Sequence, residues 1–271
     1  MHPPFIMKEK LLLIDADSLM YYEMGKPSLE QAIIGIDSRI ETMLQETGAE
    51  KYVGFLTLKR CFRYSIDTSY VYEKTPYKHN RKGGSKPIIF YALKEYLQQD
   101  PHNFVGLNGL EADDAVGIYS EIAKKEGYEP IICSPDKDVL QQLPGRHLNY
   151  QKLEFVETSE KEAEKFLWKQ TLMGDSTDGI PGIRGLGPKT AEKLLTDCKD
   201  PHKVAIEAYL KEYGIREGVT RFAETFNLVY ILRTEEAGSR ITSLPDLSSI
   251  LTSKPTLDAT SADDLLSAEW T

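Results

Sequence analysis

Short apolar runs alternate with stretches of helical periodicity along this chain. Leu11-Leu12-Leu13-Ile14 and residues 129–133, ending Ile131-Ile132-Cys133, are compact and bounded by charged or turn residues, as buried strands are. Tyr52-Val53-Gly54-Phe55-Leu56 reads as another strand. Between them, Ile33, Ile36, Ile40 and Leu44 recur at helical spacing, as do Ala115, Ile118, Tyr119 and Ile122, and residues 160–173 form a further helical stretch. Strands alternating with helices predict an α/β fold with a mainly parallel central sheet flanked by helices. In such sheets ligands bind at the carboxyl ends of the strands.

The polar positions add a chemistry to that frame. Nine acidic residues stand in four clusters: Asp15 and Asp17; Glu111, Asp113 and Asp114; Asp136 and Asp138; Asp175 and Asp178. Asp15 directly follows the first strand, and Asp136 and Asp138 follow the strand ending at Cys133 after a two-residue turn. One Asp pair alone is most often a cap or a turn. Four clusters together, two of them at strand ends and none beside His or Cys, point to hard divalent cations such as Mg²⁺ or Mn²⁺ and to metal-dependent phosphoryl transfer.

Composition and charge narrow the classes. At 271 residues and 41% hydrophobic, the chain can bury a core as one large domain or one domain with an appendage. Cys61, Cys133 and Cys198 lie far apart without CxxC spacing, which suggests neither a disulfide framework nor a zinc site and fits a reducing cytoplasm. The run at Leu11–Ile14 is too short for a signal peptide or a membrane span, so no membrane partner is expected. A net charge of −9 argues against nucleic acid until its distribution is considered: from Lys59 to Lys86 there are eight basic residues against two acidic ones. An acidic total can hide a phosphate-facing segment.

A second motif follows the last acidic pair. Gly182-Ile183-Arg184-Gly185-Leu186-Gly187-Pro188-Lys189-Thr190-Ala191 allows a tight turn whose amides approach a phosphate, with Lys189 and Thr190 opening the next helix. It matches a helix-hairpin-helix element, which grips a duplex backbone without reading sequence. Gly185, Gly187, Lys189 and Thr190 are its DNA-binding candidates.

With these residues in place, the chain resembles the flap endonuclease and 5′-to-3′ exonuclease superfamily. The matching segments are Leu12-Leu13-Ile14-Asp15-Ala16-Asp17, Tyr77-Lys78-His79-Asn80-Arg81, Leu110-Glu111-Ala112-Asp113-Asp114, Ser134-Pro135-Asp136-Lys137-Asp138 and Gly174-Asp175-Ser176-Thr177-Asp178-Gly179-Ile180-Pro181-Gly182, in the family's order over residues 11–235. The resemblance implies a PIN-like nuclease core over residues 1–155 carrying a basic arch at 59–90, a helix-hairpin-helix subdomain over 156–238, and a C-terminal tail over 239–271. It assigns Asp15, Glu111, Asp113, Asp114, Asp136, Asp138, Asp175 and Asp178 to a centre of two or three Mg²⁺ or Mn²⁺ ions. Asp17 is given a supporting or capping role. Lys78 and Arg81 match the active-site basic pair, Tyr77 a base-stacking ring, and Arg63 and Lys82 phosphate contacts. A K⁺ ion at the helix-hairpin-helix is also implied.

One departure from the family pattern stands at Phe55-Leu56-Thr57-Leu58-Lys59, where members usually carry an Asp. Either the remaining acids and waters hold the first metal, or Asp17 or Asp67 substitutes, or catalysis is weakened. The expected activity is two-metal hydrolysis of DNA at 5′ flaps or free 5′ ends, RNA–DNA hybrids included, by a monomer in the cytoplasm, or in the host cytoplasm if the chain is viral. A junction-binding protein with weakened catalysis and a PIN-type ribonuclease are the alternatives. Leu265-Leu266-Ser267-Ala268-Glu269-Trp270-Thr271 reads as a packed or frayed terminus, or as a partner-binding peptide.

Overall fold

The computed structural model describes residues 8–71, 77–80, 86–99 and 103–252, without the side chain of Lys59. The chain opens with β1 (Lys10–Asp15), α1 (Ala16–Glu23), α2 (Leu29–Thr47) and β2 (Lys51–Cys61). After a 3-10 turn at Phe62–Ser65 come α3 (Ile88–Gln98), β3 (Phe104–Gly109), α4 (Ala112–Lys125), β4 (Glu129–Cys133), α5 (Lys137–Gln142), β5 (Gly145–Asn149) and β6 (Glu154–Thr158). The rest is mostly helical: α6 (Glu160–Met173), a two-stranded hairpin of β7 (Gly174–Asp175) and β8 (Ile180–Pro181), then α7 (Pro188–Leu195), α8 (Pro201–Tyr213), α9 (Ile215–Val229), α10 (Glu235–Ser239) and α11 (Leu247–Thr252).

The central sheet has the order β3-β2-β1-β4-β5-β6, parallel except for the antiparallel edge strand β6. Leu11 to Ile14 have no exposed surface because β1 lies mid-sheet with helices on both faces. Leu12 and Ile14 face α2 and α3, whereas Leu11 and Leu13 face α4. The apolar stripe Leu29, Ala32, Ile36, Ile40 and Met43 holds α2 to its face. Ser28 caps the start of that helix through the Gln31 N–H, and Gly48 ends it in a left-handed conformation. A separate apolar cluster of Trp168, Leu172, Leu195, Tyr209 and Phe222 packs α6 to α9 together.

The stretch expected as a tail is packed as far as Thr252. Leu247 and Ile250 are buried in the cluster that covers α4, and Pro245 O accepts the Tyr119 hydroxyl at 2.7 Å. Their spacing is too short to register as a helical period, so burial against α4 decides the outcome. Residues 253–271, with the terminal Leu265–Thr271 segment, lie outside the described residues.

Arg63 stands elsewhere than its sequence assignment implies, and it engages Asp114, which sits beside Glu111 and Asp113. Arg63 is 3% exposed and reaches no solvent-facing phosphate site. Its Nε donates to Leu228 O (3.1 Å), Nη1 to Glu111 Oε2 (2.9 Å) and Asp114 Oδ2 (2.7 Å), and Nη2 to Asp114 Oδ1 (2.8 Å) and Tyr230 O (2.6 Å). All the N–H groups that a guanidinium offers are thereby used. Asp114 is fully buried and also accepts the N–H groups of Leu232 (2.9 Å) and Glu111 (3.2 Å). Both of its oxygens are committed to this internal pair.

Removing one partner of such a pair leaves an uncompensated buried charge. Arg63→Leu is expected to lose about 3–5 kcal/mol of stability in urea unfolding. The β7–β8 hairpin has a different vulnerability: Gly174 has φ 73 and ψ −168, and a Cβ there would lie 2.1 Å from Ile180 O. Gly174→Ala should cost at least about 2 kcal/mol in the same measurement.

Candidate active site

The carboxyl ends of the strands open on one cleft. Asp15 ends β1 at 5% exposure and caps α1: its Oδ1 accepts the Ser18 N–H (3.4 Å), and its Oδ2 accepts the hydroxyls of Ser18 (3.0 Å) and Ser134 (2.9 Å). Ser134 follows β4 and accepts the Asp136 N–H (3.1 Å), which fixes the turn into α5. Asp136 in turn takes the Asp138 N–H (2.7 Å). Asp175 caps the loop between β7 and β8 by accepting the Thr177 N–H (2.8 Å). With Glu111 and Asp113 at the start of α4 and Asp178 in the hairpin loop, seven of the eight expected metal residues line this cleft. The eighth, Asp114, offers an oxygen within 4.8 Å of Glu111 and Asp113 but spends it on Arg63.

Residues 77–80 dock on the hairpin loop and deliver a cation into the acids. The Lys78 N–H donates to Asp178 O (3.2 Å), and the Asn80 side chain donates to Ser176 O (2.7 Å) and Thr177 O (3.1 Å). Lys78 itself takes a left-handed φ of 59. Its ammonium bonds Glu111 Oε1 and lies 3.6 Å from Asp178 Oδ2.

Tyr77 does not stand ready to stack on a base. It is 5% exposed, its ring meets Tyr64 edge-on, and its hydroxyl lies 3.1 Å from both Glu111 Oε2 and Asp178 Oδ2. A phenol that orients two carboxylates is a positioning group. Arg81 and Lys82 lie outside the described residues.

The charges are arranged unevenly. Burial alone would raise Glu111, but Arg63 and then Lys78 outweigh it and hold its carboxyl at about 2. Burial, then the neighbouring charges of Asp114 and Glu111, push Asp113 well above the usual carboxylate range. Burial and then Asp17 raise Asp15 to about 7, while burial and then Asp136 and Asp175 raise Asp138 to about 7. Asp138 Oδ1 is also buried without a hydrogen-bond partner among the described residues. Crowded carboxylates that resist ionisation and an oxygen left unsatisfied are what a divalent cation would relieve, and an all-oxygen donor set suits Mg²⁺ or Mn²⁺.

One aromatic of the cleft escaped the sequence pattern. Tyr21, 43% exposed on α1, lines the cleft with Phe90 5.1 Å away and the Lys86 ammonium 4.7 Å above its ring. Its neighbour Tyr22 is equally aromatic, so only the helix phase relative to Asp15 could have singled it out. Asp17 also lines the cleft and accepts the N–H of Thr57 (3.1 Å) in β2.

The glycine-rich turn lies apart from the acids. Gly185 has φ +72, Gly187 caps α7, and Lys189 and Thr190 stand exposed in the first turn of that helix. The Tyr213 hydroxyl accepts the Arg184 N–H (2.9 Å) and ties the turn to α8. Among the described residues, no helix is long and apolar enough to cross a membrane.

Known proteins resemble this chain in sequence and in fold. The thermostable DNA polymerase I of Thermus aquaticus is 29% identical over 260 residues, covering 86% of this chain and 29% of the polymerase. The chain spans less than a third of the length of the polymerases it matches first. The D15 protein of bacteriophage T5, co-crystallised with metal ions, superposes with a TM-score of 0.62 at 17% identity over 90% of this chain and 98% of its own. The D15 flap endonuclease in complex with DNA and metal ions gives 0.52 at 14% identity, covering 82% and 99%. At these identities the superpositions establish a common fold. A model of the 5′-3′ exonuclease N-terminal, resolvase-like domain matches residues 10–169, more than half of the sequence, so the chain belongs to the 5′-3′ exonuclease family.

Proposed function

We propose that this chain is a divalent-metal-dependent 5′ nuclease that hydrolyses DNA phosphodiesters at free 5′ ends and 5′ flaps, RNA–DNA hybrids included. The observation that carries the reading is the convergence of seven carboxylates from four separate segments on one cleft with Lys78 among them. Asp15, Asp136, Asp138, Asp175, Asp178, Glu111 and Asp113 would hold two or three Mg²⁺ or Mn²⁺ ions. When bound, these cations supply a nucleophile from water at neutral pH and neutralise the departing oxygen.

The chain's own residues do the rest. Tyr77 and Arg63 fix the Glu111 carboxylate, so its ligand oxygens do not rotate when the charge around them changes. Lys78 pairs with Glu111 and Asp178 and stands where its ammonium meets an entering phosphate, whose charge it neutralises. Arg81 joins it from the same segment in this reading, and Lys82 contacts the adjoining backbone. The exposed face of Tyr21 is available to stack on a base at the cleft mouth. Gly185, Gly187, Lys189 and Thr190 form a helix-hairpin-helix turn that grips the duplex backbone, with K⁺ as its monovalent ion, and the enzyme works as a monomer.

Thr57, where β2 meets the cleft, favours one second reading, a junction-binding protein whose chemistry has weakened for want of an acid there. Cleavage of a 5′-labelled DNA flap separates the two. The nuclease reading expects cleavage with Mg²⁺ and none with chelator. Asp175→Ala should lower the rate by a factor on the order of 10²–10³ while duplex binding changes little. Loss of binding with cleavage retained would sink the assignment.

The raised carboxyls give a pH signature. Asp15 and Asp138 keep their protons in the folded, metal-free chain up to about 7, against 3.8 for an ordinary Asp. Between these values the folded state binds more protons than the unfolded one, so stability falls as pH rises through that window. Cations must displace those protons. Mg²⁺ binding near pH 6 should release more protons than near pH 8, as read by calorimetry in two buffers of different ionisation heat.

A further inference from the structure

The strands that open on the cleft each bring an acid to it, with one exception. β1 ends in Asp15, β4 leads through Ser134 and Pro135 to Asp136, and β3 leads through Leu110 to Glu111 and Asp113. β2 lies between β3 and β1 and presents Thr57. Thr57 is fully engaged in local bonding: its N–H goes to Asp17 Oδ1 (3.1 Å), and its hydroxyl oxygen accepts the Ala112 N–H (3.0 Å). A carboxylate nevertheless stands at the mouth of β2, because Asp17 reaches there from the first turn of α1.

Lys86 and Lys94 lie near enough for their charges to act on Asp17, but each ammonium is engaged elsewhere. Lys94 spends its ammonium on the carbonyls of Thr57 (2.5 Å) and Leu58 (2.8 Å), and Lys86 sits over the rings of Phe90 (3.8 Å) and Tyr21 (4.7 Å). Among the described residues neither lysine forms an ion pair with Asp17. The carboxylate therefore lies beside Asp15 in the cleft, held by Thr57 and, among the described residues, without an ion-paired cation. A structural cap alone would need no charge at this place, since an amide oxygen accepts the Thr57 N–H equally well.

Resting on the metal-dependent reading above, we propose that Asp17 is itself a metal ligand of the cleft, directly or through a water, and supplies from α1 the carboxylate that β2 lacks at Thr57. Thr57 holds the Asp17 side chain at the cleft wall through its amide. Asp17 replaces a strand-borne acid with a helix-borne one, so the two positions should be exchangeable.

That exchange is the test. Mn²⁺ binding by the wild type, Asp17→Asn, and Asp17→Asn combined with Thr57→Asp would be followed by electron paramagnetic resonance, alongside cleavage of a 5′-flap DNA. Asp17→Asn keeps an acceptor for the Thr57 N–H but removes the charge, and should weaken one Mn²⁺ site by about 10-fold or more. The double variant should recover most of that loss, and cleavage should follow the same order. Unchanged Mn²⁺ binding in Asp17→Asn, beside a wild type that binds Mn²⁺ and cleaves, overturns the assignment of Asp17 alone. A loss that Thr57→Asp does not restore overturns it too, because it marks Asp17 as a support for β2. A wild type that binds no Mn²⁺ removes the metal-dependent reading, and this proposal with it.

Discussion

The buried guanidinium of Arg63 is the constraint on which the rest of the site depends. It binds the start of α4 through Asp114 and Glu111 and the segment after α9 through the carbonyls of Leu228 and Tyr230. A cation taken out of water in this way is tolerable only if every donor is matched, and here each one is. The same pair sets the electrostatics of the cleft. Arg63 keeps Glu111 ionised beside Asp113, Asp15 and Asp138, which are pushed the opposite way, so the acidic face joins a charged corner to carboxyls that await a cation.

The sheet interior was legible because β1 and β4 are buried on both faces and therefore read as unbroken apolar runs. β3 escaped notice: Phe104-Val105-Gly106-Leu107-Asn108-Gly109 interrupts its apolar residues with two glycines and an Asn. β5 escaped for a related reason, since Arg146 and His147 occupy a strand whose His is fully buried. Local sequence reports hydrophobicity, and these strands are held by neighbours instead.

The acids show a similar division. Clusters at strand ends could be read because topology puts strand ends together. Which of two adjacent acids faces the cleft could not be read, because a helix turns by roughly 100° per residue and sends Asp113 and Asp114 to different sides. The roles of Tyr77 and Arg63 were equally hidden, since their partners lie 34 to 167 residues away and neither side chain advertises burial. An aromatic or an Arg in a basic stretch looks like surface until its partners are known.

Synthesis runs from the amino terminus, and the acceptors of Arg63 are far apart in that order. The Leu228 and Tyr230 carbonyls lie 165 and 167 residues after it, and the Leu232 N–H that completes Asp114 lies 118 after that acid. On a ribosome, β1 to β5 can assemble while Arg63 and Asp114 still lack those partners. The nascent sheet therefore carries an incompletely solvated ion pair at its heart until the end of α9 has emerged and closed over it. Completion of the site comes after assembly of the sheet, and the acidic face is fixed only once Leu232 has been made.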